Sequence, residues 1–169
     1  MNLNLEPADF SLFLEAETQV NAPMDLAFTA LCDHRFFAAR AAANGVTVTS
    51  PDTPDTPFAD RTWKASGRFR GRPRTADISV KTNAAPVRLQ LISTVSNIEA
   101  HTDIEFLETG RRRTRMKIRV GLLPRSMTAR LIVQSLRFSR PRLTRRLDKA
   151  TTRFAKMISR RARQLRDQN

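Results

Sequence analysis

The sequence predicts an α+β fold: a curved antiparallel sheet of about six to seven strands wrapped around a long carboxy-terminal helix, with two short helices after the first strand. Three observations predict it. Residues 12–20 alternate, with Leu12, Leu14, Ala16, Thr18 and Val20 on one face and Glu15, Glu17 and Gln19 on the other, the pattern of a half-buried strand. The stretch from Thr62 to Gly121 keeps a two-residue period, interrupted by turn residues. After Pro124 the period changes to that of a helix.

Taken in order, the first strand ends at Asn21, which offers a helix cap with Pro23 in the first turn, so Ala22 to Cys32 reads as a short helix. A second runs from Arg35 to Asn44 and is closed by Gly45. Val46 to Ser50 alternates again. Pro51 to Pro57, with three prolines and two aspartates, cannot continue a strand and reads as an exposed loop.

The meander that follows turns near Gly71-Arg72-Pro73, Ala84-Ala85-Pro86, Ser96-Asn97 and Thr109-Gly110. A two-residue loop at Ser96-Asn97 sets Leu91 opposite Thr102 and Leu89 opposite Ile104. A three-residue loop at 109–111 then sets Ile104 opposite Met116 and Thr102 opposite Ile118, with Glu105 facing Arg115 and Asp103 facing Lys117. One parity collects the large apolar side chains. The expected inner wall, and with it the expected ligand cavity, comprises Trp63, Phe69, Ile78, Leu89, Leu91, Ile104, Phe106, Met116 and Ile118, with Val80, Val87, Val95, Ile98 and Val120 sharing the face. Ser93, Thr102 and Thr114 are its only hydroxyls. Arg113, Arg115, Lys117 and Arg119 face outward.

From 125 to 166, Ile132, Leu136, Leu143, Leu147, Ala150, Phe154, Met157, Ile158 and Leu165 fall within an arc of about 100° at about 100° per residue. That arc faces the core, so Leu136 and Leu143 join the expected cavity wall. A straight helix of this length would run about 60 Å against a domain of ~40 Å. Pro141 therefore predicts a kink or break near Arg140.

The order of elements is that of the helix-grip fold, and Val20-Asn21-Ala22-Pro23, Ala27-Phe28, Leu31 and Asp33 are similar to the strand-to-helix signature of the superfamily of START-like lipid-binding domains, pollen-allergen-like proteins and polyketide cyclases (SRPBCC). The chain resembles that superfamily from Phe10 onward, and 1–169 is expected to form one domain, with the strand, short helices and meander in 10–124. The resemblance implies a cavity between sheet and helix for a hydrophobic or amphipathic small molecule. An aromatase- or cyclase-like activity is implied only by membership.

Charge is distributed unevenly. Residues 111–169 carry twenty Lys+Arg against two acids, Asp148 and Asp167, while residues 1–110 carry ten against fourteen. On the last helix Arg142, Arg145, Lys149, Arg153, Lys156, Arg160 and Arg163 recur every three or four residues and form one basic stripe, the expected anion-binding surface. An anionic membrane surface or a nucleic acid would answer it, the second making the chain a nucleic-acid- or ribosome-associated protein. Gly67 to Arg74, rich in Gly and Arg, reads as a solvated hairpin tip.

No catalytic residue is assigned. The two histidines, His34 and His101, read as structural or solvated, and the single Cys32 builds neither a disulfide nor a metal site. No cofactor or metal is expected. The longest apolar runs are only a few residues, so no segment should cross a bilayer. Met1 to Phe10 lacks the basic start and apolar stretch of a leader, which makes the expected location cytoplasmic, with the membrane periphery as the second expectation.

Overall fold

The computed structural model describes residues 5–168, so the first four residues of the segment read for a leader lie outside it. Its elements are β1 (Leu12–Val20), α1 (Met24–Leu31), α2 (His34–Ala42), β2 (Thr47–Thr49), β3 (Thr62–Phe69), β4 (Arg72–Ala84), β5 (Arg88–Val95), β6 (Ile98–Gly110), β7 (Arg113–Pro124), α3 (Met127–Phe138) and α4 (Arg140–Asp167). The strands make one curved seven-stranded antiparallel sheet ordered β1-β7-β6-β5-β4-β3-β2. Strands from β2 to β7 therefore pair with their chain neighbours, and β1 closes against β7.

Turn chemistry explains the meander. Ser96 and Asn97 both hold positive φ, 50° and 60°, as do Arg70 and Gly71 at 51° and 75°, the geometry that joins two twisted strands through two residues. The β3–β4 turn thus falls at Arg70-Gly71, slightly before the expected Gly71 to Pro73. At β6–β7 the expected three-residue loop is replaced by a two-residue turn at Arg111-Arg112, with a bulge between Glu108 and Gly110. Every partner moves by two: Ile104 faces Ile118, Thr102 faces Val120, Asp103 faces Arg119 and Glu105 faces Lys117. Side-chain direction repeats every two residues, so the inner face survives the shift.

One helix start differs in detail from expectation. α1 begins after Pro23, and Asn21 caps nothing; its backbone N–H instead donates to Ser159 Oγ on α4 at 3.0 Å. The carboxy-terminal segment does break, at Ser139, and Pro141 lies in the first turn of α4, where a missing N–H costs nothing.

The long helix packs chiefly along β1 and α1. Between them lies a sealed core: Val20, Leu89, Ile104, Phe106, Met116 and Ile118 from the sheet, Phe28 and Leu31 from α1, and Ala155, Ile158 and Ala162 from α4. Phe28 meets Phe106 edge-on at 6.1 Å. Small residues on α4 let the helix approach the strand closely.

The outer face is less solvated than its polar parity suggests. Asp103 is 0% exposed, roofed by Arg88 (Nε to Oδ1, 3.1 Å) and Arg119 (Nη1 to Oδ2, 2.8 Å), and Glu105 joins both arginines at 2.9 Å. From the other side Glu15 and Glu17 on β1 meet Lys117 at 3.4 Å and Arg115 at 3.3 Å. The basic strand β7 is thus answered by acids on both neighbouring strands. Among the described residues no helix is long and apolar enough to cross a membrane.

Candidate functional site

The concave face of the sheet has two unlike halves. Leu89, Ile104, Phe106, Met116 and Ile118, all expected in the cavity wall, are buried in the sealed core. Thr114, also expected there, is fully buried and donates to the Ala22 carbonyl at 2.9 Å, so its hydroxyl is satisfied by backbone. Trp63, Ile78, Leu91, Ser93 and Thr102 stay half-buried because α4 makes its main approach at β1, on the opposite edge. Phe69 lies at the β3–β4 tip and is 60% exposed. It has the inward parity but extends past the wall, a correction to its placement in the cavity. Val87, likewise expected inside, sits in the β4–β5 turn and is 46% exposed. Leu136 and Leu143 flank the α3–α4 break, half-buried, while Ala150 and Ile132, expected in the core arc, are exposed.

The helix α2 bridges the half-open wall to α4. At its start His34 lies against Trp63, ring centroids 6.0 Å apart, and Trp63 also meets Phe58 at 5.5 Å. One turn on, Phe37 meets Phe154 of α4 at 5.2 Å. Asp33 fixes this bridge twice over: its Oδ1 accepts the Phe36 N–H at 3.1 Å, capping α2, and its Oδ2 receives Arg161 Nε of α4 at 2.6 Å. The Arg161 guanidinium also lies 5.7 Å from the Phe36 ring.

Between α2 and α4 this leaves a groove of about 580 Å³. Phe37, Ala41, Phe154 and Met157 form an apolar floor, and Arg40, Arg153, Lys156 and Arg160 surround it. Three of the seven stripe residues therefore converge on one cleft with a cation from α2. Arg142, Arg145, Lys149 and Arg163 are exposed elsewhere along α4, with Lys149 beside a shallow dip that Asp148, Thr152 and Arg153 share. Among the described residues none of the seven is ion-paired with a carboxylate; on α4 the paired cations are Arg161 and Arg166.

Two buried polar atoms without a hydrogen-bond partner among the described residues are the Trp63 indole Nε1 and the Thr151 Oγ1. One belongs to the sheet wall and the other to the buried face of α4. Thr151 was not among the residues singled out in the sequence; its helical phase with Ala155, Ile158 and Ala162 was the available signal. Arg40 and Phe37 were missed as well, because nothing in the sequence says that α2 lies beside α4.

The titratable groups near the site are poor acid–base candidates. Burial, together with Arg61 and Arg35, holds His34 below its ordinary pKa, so it is neutral at pH 7. Burial pushes the Cys32 thiol up to about 12, which leaves it unreactive. His101 lies on the outer face beside Phe10 and Glu99. Among the described residues no group of three His, Cys, Asp or Glu side chains converges as metal ligands would.

No protein-family model matches the sequence, and no curated protein matches it. Solved structures do match in shape. A START superfamily protein from Mycobacterium smegmatis superposes with a TM-score of 0.60 at 11% identity, covering 90% of this chain and 98% of that one. The Zhui aromatase/cyclase from Streptomyces sp. R1128 gives 0.60 at 12% identity, covering 90% and 93%. The fold is the START-like helix grip. A conserved protein from Geobacillus kaustophilus shares it at a TM-score of 0.61 and 12% identity, over 90% of this chain and 96% of that one. Identities this low show a common helix-grip architecture. They do not carry over the residues of any neighbour's site.

Proposed function

We propose that this START-like chain binds a hydrophobic or amphipathic small molecule with an anionic head group, its apolar body against Trp63, Ile78 and Leu91 and its head at the Arg40, Arg153, Lys156 and Arg160 rim. One observation carries the reading: an apolar floor lies among four cations in a groove between α2 and α4, and α2 packs at its start on Trp63 of the sheet wall. Apolar pockets with a few convergent polar groups are the usual form of a small-molecule site. A carboxylate or phosphate at the rim would gain charge-assisted hydrogen bonds, and it would relieve repulsion among like charges one helical turn apart. The unpaired Trp63 N–H supplies a donor for a second polar group.

The protein carries its own reporter, since Trp63 is its one tryptophan and it has no tyrosine. Titration with a long-chain alkyl carboxylate should shift Trp63 emission to the blue, saturably. The methyl ester of the same chain should bind more weakly, and Arg153→Gln with Arg160→Gln should remove that difference, each lost contact weakening binding about tenfold. Unchanged Trp63 emission, together with native mass spectra free of co-purifying lipid, would refute the reading.

A second reading, nucleic-acid binding, draws on the row of exposed cations along α4. It predicts gel-shift binding that weakens steeply with salt. The apolar floor has no role in it.

A further inference from the structure

The helix α3 is apolar on two opposite faces. Ala129 and Val133 are buried and Leu136 half-buried, facing β7 and β1. On the other side Met127, Leu131 and Phe138 are 70%, 64% and 90% exposed. At about 100° per residue these three fall within an arc of about 40°, centred almost opposite the buried set. The helix is well formed, with Ser126 Oγ accepting the Ala129 N–H at 3.1 Å, so the stripe is a stable surface.

Its flanks are cationic. Arg130 and Arg137 lie along one side of the stripe, and Arg140 and Arg142 follow at once in α4, all exposed and none ion-paired among the described residues. Residues 126–147 contain no acid at all.

We infer that α3 docks this protein on an anionic lipid surface, lying in the plane of the interface with Met127, Leu131 and Phe138 among the acyl chains and the arginines at the phosphates. Helices with a narrow exposed apolar face beside a basic one bind bilayers in this way. At 1.5 Å per residue the stripe extends about 16 Å, parallel to the surface it would enter. Charge decides against a second copy of the chain as the occupant, because two such faces in contact would bring both sets of arginines together without a carboxylate between them. A nucleic acid would answer the arginines but has no place for three large exposed apolar side chains. The inference rests on α3 and not on the α2–α4 groove, so it stands apart from the ligand reading.

Co-sedimentation of the full chain with vesicles tests it. The protein should pellet with phosphatidylcholine mixed with phosphatidylglycerol and stay largely in solution with phosphatidylcholine alone. Leu131→Asn with Phe138→Asn keeps every charge and should weaken vesicle binding about a hundredfold while leaving the melting temperature unchanged, since both side chains already face solvent. Arg130→Gln with Arg137→Gln should cost about fivefold per charge and reduce the salt sensitivity. Insertion itself is read from Phe138→Trp in a Trp63→Phe background, whose emission should be quenched by lipids brominated along the acyl chain. Equal binding of the Leu131→Asn/Phe138→Asn variant and the parent, or emission from the Phe138→Trp variant that brominated lipids leave unquenched, overturns the inference. A dimer in sedimentation velocity that the same double variant abolishes would overturn it too, by assigning the stripe to a second copy.

Discussion

Replacing Asp33 should loosen the bridge between α2 and α4, and the size of the effect can be worked out in advance. In Asp33→Ala the Phe36 N–H loses its cap, worth about 1 kcal/mol, and Arg161 loses its carboxylate. Both side chains of the pair are about a fifth exposed, 19% and 22%, so a charge-assisted bond of ~1.5–3 kcal/mol is reduced by residual solvent screening to about 1 kcal/mol. The total is ~2 kcal/mol, which for a chain of this length lowers the melting temperature by roughly 6 °C. Asp33→Asn keeps an oxygen to accept the Phe36 N–H and should lose only the ionic half, about 3 °C. Arg161→Ala should cost slightly more than the pair alone, because its contact with the Phe36 ring also goes, worth ~0.5 kcal/mol. A double-mutant cycle by urea unfolding then reads about 1 kcal/mol of coupling between positions 33 and 161. Coupling below ~0.3 kcal/mol, within the scatter of independent sites, with equal losses for Asp33→Ala and Asp33→Asn, would show that the Asp33–Arg161 pair does not tie the two helices; their contact would then rest on the aromatic pair Phe37–Phe154.

At Gly121 an added Cβ would run into the Phe10 ring, so Gly121→Ala should displace that ring at a cost of about 1–3 kcal/mol, and Phe10→Ala should cancel that cost in the double variant measured by chemical denaturation. Thr114→Val preserves shape but leaves the buried Ala22 carbonyl without its donor, a loss of about 1–2 kcal/mol; a neutral result would mean that another group reaches that carbonyl. Stability should also fall in acid. Glu99 is held below the ordinary glutamate range by hydrogen bonds from Arg125 and His101 against an opposing effect of burial. Burial pushes Glu105 up, but the hydrogen bond from Arg119 and the charges of Arg88 and Arg119 outweigh it and leave it low. A carboxyl depressed in the folded state stabilises the fold fully above its unfolded value, and that contribution disappears as pH drops through about 4 and below. Urea midpoints across this range should decline, less steeply in Arg125→Gln; a flat profile would contradict the assignment.

The sheet was legible in the sequence because its information is periodic. A turn misplaced by one residue moved every β6–β7 partner by two, and an even shift leaves the inner face unchanged. Leu89, Ile104, Phe106 and Met116 therefore came out buried, although Met116 faces Phe106 and not Ile104. Parity alone could not tell where a wall ends, which is why Phe69 was placed inside and sits at a hairpin tip. It also could not foresee that long arginines on the outer face would bury Asp103, a consequence of the true register setting Arg88 and Arg119 around it. The helices were legible as far as one continuous arc described them. The break at Ser139 resets the helical phase, so Ile132 leaves the core and Met127, Leu131 and Phe138 line up on the far side. The α2–α4 groove was illegible because it joins residues more than a hundred positions apart.

Where the positive charge remains unanswered follows from the topology. β7 is a central strand, flanked by β6 and β1, and each supplies acids at the register its cations need. The helices α3 and α4 lack such a row of acids: apart from Asp33, which answers Arg161, one side of each faces the sheet and core and the other faces solvent. Like charges at one-turn spacing along α4 repel by a few tenths of a kcal/mol per pair, a cost that packing elsewhere must offset and that only an anion can relieve. The structure divides that surplus by the apolar surface next to it. Arg153, Lys156 and Arg160 border a concave floor of molecular size, which suits a small amphipathic anion. Arg130, Arg137 and Arg140 border a convex stripe, which encloses nothing and suits an extended surface. The two proposed partners thus differ because the geometry beneath the charge differs, and the alkyl carboxylate and vesicle experiments probe the two proposals separately.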